Sequence, residues 1–116
     1  MSNVTSVMIN THSDAISAVV EWFESQYSAI GIISNAKEWA GNKHVQATIW
    51  GGAYNYLSLG DFLTAVATAP WSDFDKIGLQ VFVKEENDAS FAVYAFRKEP
   101  GKSAWIFRCV LAAERS

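Results

Sequence analysis

Hydrophobic and polar positions alternate most cleanly in the last third of the chain. Residues 77–84, 90–98 and 103–112 are three runs rich in β-branched and aromatic side chains. Glu85-Glu86-Asn87-Asp88 and Glu99-Pro100-Gly101-Lys102 separate them, and this pattern predicts an antiparallel three-stranded meander. Side chains on a strand change face at every residue, so loops with an even number of residues preserve which positions share a face. One face then holds Leu79, Val81, Val83, Ala92, Tyr94, Phe96, Trp105, Phe107, Cys109 and Leu111. The other holds Gln80, Phe82, Lys84, Phe91, Val93, Ala95, Arg97, Ala104, Ile106, Arg108 and Val110. In the expected register Phe96 sits opposite Trp105 and Tyr94 opposite Phe107. The first face is almost wholly apolar and has to be covered.

Upstream, the period changes. Thr11-His12-Ser13-Asp14 has the composition of a helix start, and Ile16, Val19, Val20, Phe23, Tyr27 and Ile30 follow at helical spacing. The stripe predicts a helix over 13–29, ended by Gly31 in a left-handed cap. Residues 4–9 alternate only weakly and read as an edge strand or an arm. A short helix over 34–40, capped by Ser34, is expected next. Val45, Ala47 and Ile49 then alternate with Gln46, Thr48 and Trp50 until Gly51-Gly52 interrupts them. Because Tyr54 to Leu57 resumes the extended pattern, a hairpin or a strongly bent strand is predicted here. Ser58-Leu59-Gly60-Asp61 opens a helix whose face is Leu59, Phe62, Leu63 and Val66. Pro70 stops that helix, and 71–75 reads as a link to the meander.

The whole chain therefore predicts one α+β domain over 1–116. An N-terminal helix and a second helix pack on a curved antiparallel sheet that ends in the meander. The order of elements resembles the NTF2-like cone, in which helices sit inside a curved sheet around a pocket. The alternative resemblance is to a ferredoxin-like unit with an added C-terminal hairpin, favoured if 4–9 is a true first strand. Both rest on element order alone, and no family is assigned from them.

Composition sharpens the functional reading mainly by exclusion. Hydrophobic residues make up 50% and charged ones 18%, fewer charges than the usual quarter or so. The apolar excess predicts an oligomer or an apolar cavity. A net charge of −3 and scattered basic residues give no global attraction to nucleic acid. One cysteine excludes an internal disulfide, and two histidines exclude a multi-Cys/His zinc site. The start of the chain shows no basic region followed by an apolar core, so a soluble cytoplasmic protein without membrane contact is expected.

Candidate chemistry is sparse. Ser34-x-x-Lys37 has the spacing of a serine–lysine pair, but Ser34 serves better as a helix cap. His12 and His44 lie at element ends, where solvated or capping roles dominate. Asp61, Asp73 and Asp75 fit turn and cap chemistry better than a metal site. Gly51-Gly52 lacks the lysine of a phosphate loop. Cys109, on the apolar face, is expected to be a buried, inert thiol. No cofactor and no metal is implied, and no catalytic residue is assigned, so an enzyme is not favoured.

Aromatics with a polar handle favour pocket mouths and interfaces. Trp50, Tyr54, Tyr56 and Trp71, in loop-rich stretches, are therefore the candidate ligand-binding residues, for a small apolar or aromatic ligand. Phe82, Phe91, Val93, Ile106, Arg108 and Val110 are the candidate homodimer interface, since helices cover only the other face. The expected function is a homodimeric, non-catalytic binding domain. The alternatives are an acidic protein-interaction or toxin-neutralising protein, and a pocket enzyme of the NTF2-like kind.

Overall fold

The segment read as an edge strand or an arm takes the middle of the sheet. In the computed structural model, which describes residues 3–33 and 47–114, β1 (Val4–Asn10) buries Thr5, Val7 and Ile9 on one side. Its alternation looked weak because polar Thr5 lies on the buried side while apolar Val4 and Met8 lie on the half-exposed one. Both of its edges are paired. The other elements are α1 (Ile16–Gln26), β2 (Gly31–Ile32), β3 (Ile49–Asn55), α2 (Leu59–Thr68), α3 (Asp73–Gly78), β4 (Gln80–Glu85), β5 (Ala92–Lys98) and β6 (Trp105–Leu111). The six strands form one sheet in the order β2-β3-β1-β4-β5-β6, antiparallel at every pairing. With 4–10 a true first strand, the order β1-α1-β2-β3-α2-β4 and the sheet order β2-β3-β1-β4 match the split βαβ arrangement of the ferredoxin-like alternative. Another strand separates the parallel pair of each βαβ, and β5 and β6 are the added C-terminal hairpin.

The meander keeps its predicted faces but not its predicted register. Phe96 faces Phe107 and Tyr94 faces Cys109, while Trp105 faces Lys98. This is a slip of two residues, which leaves side chains on their own face. Its cause is the length of the connection. Lys98 pairs with Trp105, so residues 99–104 join the strands, whereas pairing straight on from a turn closed at Glu99 and Lys102 would have set Phe96 opposite Trp105. The Lys102 amide donates to the Glu99 carbonyl at 3.0 Å, Pro100 occupies the second position and Gly101 takes φ +77°, a type II arrangement. A second deviation is a bulge in β6. Tyr94 pairs with Cys109 but Val93 pairs with Leu111, leaving Val110 as the extra residue. The bulge turns Leu111, assigned to the covered face, onto the opposite face, where it is 61% exposed.

The Gly51-Gly52 pair does not break a strand. β3 runs unbroken through it because the glycines are where other groups come close. A Cβ at Gly51 would meet Ile33 Cδ1 at 2.9 Å, and one at Gly52 would run into the Tyr54 hydroxyl. The Tyr54 ring lies back over Gly52 and stacks on Phe23 with centroids 4.6 Å apart.

The helices cover the face carrying Val7, Ile9, Val81 and Val83. α1 contributes Ile16, Val19 and Phe23, and α2 contributes Phe62 and Val66. α1 is shorter than its apolar stripe. Two successive hydroxyl turns precede it: Thr11 Oγ1 accepts from the Ser13 amide, and Ser13 Oγ accepts from the Ala15 amide, both at 3.1 Å. It ends at Tyr27, whose ring turns towards Trp22 and Tyr54 and whose hydroxyl accepts the Ser58 amide at 2.8 Å. Gly31 is therefore not its cap and belongs to β2. Residues 71–75 also depart from the expected link. Ser72 and Asp75 form a capping box that starts α3, and Ile77, placed at the start of a strand by its pattern, is helical. The predicted helix over 34–40 lies outside the described residues.

Candidate interaction surfaces

The four aromatic residues expected to line a pocket are mostly used inside the molecule. Tyr54 is buried and its hydroxyl donates to the Ala29 carbonyl at 3.1 Å. Burial pushes its pKa up to about 12, because desolvation penalises the phenolate. Trp71 is buried too, its indole N–H donating to the Val66 carbonyl at 2.7 Å. Trp50 packs half-buried against the core opposite Ile9 and Ile32. Tyr56 points to solvent with φ +55°. Three clefts among the described residues are lined by other side chains.

The carboxylates weighed as a cluster serve separate local roles. Asp75 Oδ2 accepts the Ser13 hydroxyl at 2.6 Å and the Ser72 amide at 3.2 Å. The Ser13 hydrogen bond is the main reason its carboxyl lies below the usual range; partial desolvation opposes it and the Ser72 bonds add to it. Asp73 Oδ1 accepts the Trp105 indole N–H at 3.0 Å. Asp61 sits in the first turn of α2. His12 is exposed, with Nδ1 3.0 Å from Thr48 Oγ1. Among the described residues no group of three His, Cys, Asp or Glu is placed to hold a metal ion. Cys109 is exposed rather than buried, because β6 is an edge strand beyond the reach of α1 and α2.

What pattern reading missed is α3. Phe74 is 83% exposed and Ile77 67% exposed, three positions apart and so adjacent on one helical face. The helix that carries them is fixed at three points. Asp75 holds Ser13 before α1, Asp73 holds Trp105 on β6, and the Lys76 ammonium lies 5.4 Å from the centroid of the Phe96 ring. Phe74 also borders an open cleft of about 230 Å³ with Asn10, His12, Ser13 and Asp75. The signal was available as Pro70 followed by Ser72-x-x-Asp75, a helix stop followed by a capping box.

Charge is divided between the two sides of the sheet. The helices and the turn before α1 carry Asp14, Glu21, Glu24, Asp61, Asp73 and Asp75 against Lys76. The opposite face of the sheet carries Lys84, Arg97 and Arg108, and no carboxylate among its described strand positions. Of the expected interface residues, Phe82, Val93, Ile106 and Arg108 lie on this face; Phe91 precedes β5 and Val110 is in the bulge.

No protein-family model matches the chain, and neither a curated protein nor a solved structure is significantly similar to it. No described helix is long and apolar enough to cross a membrane.

Proposed function

We propose that the chain is a small non-catalytic binding domain that acts through its surface, with α3 as the contact element and a basic protein as the partner. The observation that carries this reading is the exposure of Phe74 and Ile77 on a helix fixed at three points. Aromatic side chains held rigidly on a surface are the usual anchors of protein interfaces. The six carboxylates of the helical side supply complementarity to a cationic partner and speed the encounter. The core aromatics support it from the other direction: with Tyr54 and Trp71 bonded internally, they leave surface contact as the means of binding.

Photo-crosslinking tests the proposal. A photoreactive phenylalanine analogue at position 74, in cells expressing the chain, should give a discrete adduct with a basic protein. The same group at Thr68, exposed on α2, should not, and Ile77→Asp should abolish the adduct. Equal labelling from both positions, or an adduct at twice the chain mass, would replace the reading with non-specific contact or with self-association.

A further inference from the structure

The strand β6 is exposed over most of its length and ends the sheet, so its outer edge has no described strand beside it. Ile106, Arg108, Cys109, Val110 and Leu111 are all exposed. Unpaired edges of this length are templates for another chain. On the face away from the helices, Ile106 pairs with Arg97 and Arg108 pairs with Ala95, which makes the two arginines diagonal neighbours. Neither forms an ion pair with a described carboxylate; the ion pair among the described residues is Lys102–Glu99 at 3.1 Å. Arg97 Nη1 donates to the Phe96 carbonyl at 3.0 Å. The remaining guanidinium N–H groups of a face with no described carboxylate suit an incoming carboxylate, which accepts paired N–H donors.

We propose that β6 takes up an extended acidic segment of a partner protein as a seventh strand, with carboxylates meeting Arg108 and Arg97 and apolar side chains meeting Ile106 and Leu111. Charge selects this occupant. A second copy pairing β6 with β6 would put another Arg97–Arg108 pair on the same face, since a two-fold interface contributes identical surfaces. A single-stranded nucleic acid needs exposed rings for stacking, whereas the apolar side chains exposed here are aliphatic and the chain carries net charge −3. The proposal rests on the reading that the domain works by surface contact, but it uses the opposite side from α3, so α3 variants test that reading and β6 variants test this one.

A short synthetic peptide repeating Val-Thr-Glu-Thr, which sets Val and Glu in turn along one strand face, is the probe, with a counterpart carrying Lys in place of Glu and a thymidine oligonucleotide as controls. Titration followed by backbone amide NMR should shift and protect the amides of 105–109 with the acidic peptide only. Arg97→Gln combined with Arg108→Gln should weaken binding roughly tenfold, as the loss of two exposed charge pairs implies. Both side chains are exposed, so the variant should keep its fold. Equal binding of the lysine peptide, binding of the oligonucleotide instead, or no binding at all would overturn the proposal. The last result would leave Arg108 and the Val110 bulge as guards against edge pairing. Protection of β6 amides without peptide, with light scattering at twice the chain mass, would assign the edge to a second copy.

Discussion

Phe23 and Phe107 are both apolar side chains on the helix-covered side of the sheet, and replacing each with alanine measures how far that cover extends. Phe23 is fully buried. It stacks on Tyr54 at 4.6 Å, meets Trp22 edge-on at 5.0 Å and packs on Phe62 at 5.5 Å. Phe23→Ala should cost about 3–5 kcal/mol, the range for a large aromatic removed from a packed core. Phe107 is half-buried and its ring neighbours are Phe96 at 4.9 Å and Tyr94 at 6.1 Å. About half of the transfer energy of a phenyl group plus part of two ring contacts gives about 1–2 kcal/mol for Phe107→Ala. Urea unfolding followed by circular dichroism measures both, provided that the slope of the transition is unchanged between variants. Equal costs would refute the argument, since they would mean that the helices cover β6 as fully as β1. A cost under about 0.5 kcal/mol for Phe107→Ala would mean that the Phe96–Phe107 pairing is not formed in solution.

Two further predictions concern pH. Tyr54 has a raised pKa in the folded chain, so the stability that depends on its neutral form is complete below the unfolded value near 10 and is lost as pH rises towards about 12. Tyr54→Phe should lower stability at neutral pH by removing the bond to Ala29, and it should flatten the alkaline limb of melting temperature against pH. A wild-type-like alkaline limb in the variant would sink this assignment. Asp75 has the opposite sign: its carboxyl is held below the usual range chiefly by Ser13, so its contribution is present above the unfolded value near 4 and is lost as pH falls through the folded one. Asp75→Asn should shrink the acid dependence of the urea midpoint, and an acid limb that is unchanged would show that α3 is not anchored through this group.

The elements that follow from local periodicity were legible in the chain. Ile16, Val19 and Phe23 at helical spacing mark the buried face of α1, and Phe62 and Val66 mark that of α2. Alternation sorted the meander correctly because its period of two is indifferent to a slip of two residues, which is also why the Phe96–Phe107 pairing could not be read from it. One extra residue at Val110 was enough to move Leu111 to the other face, and nothing in the Cys109-Val110-Leu111 run marks where a bulge falls. The candidate contact element was half visible: Ser72 and Asp75 announce a cap, but the exposure of Phe74 and Ile77 depends on α3 lying on the outside of β5 rather than under α1. Tyr54 and Trp71 read as pocket residues because their polar handles need partners, and only the packed chain supplied those partners as the Ala29 and Val66 carbonyls. The position of β1 shows the same limit. Val4–Asn10 alternates only weakly and reads as an edge strand or an arm, yet it lies at the centre, because β3 and β4 arrive from distant parts of the chain to pair with both of its edges. Local sequence determines which side of an element is apolar; which other elements meet that side is decided by the long-range pairings that bury the most surface while satisfying every backbone group.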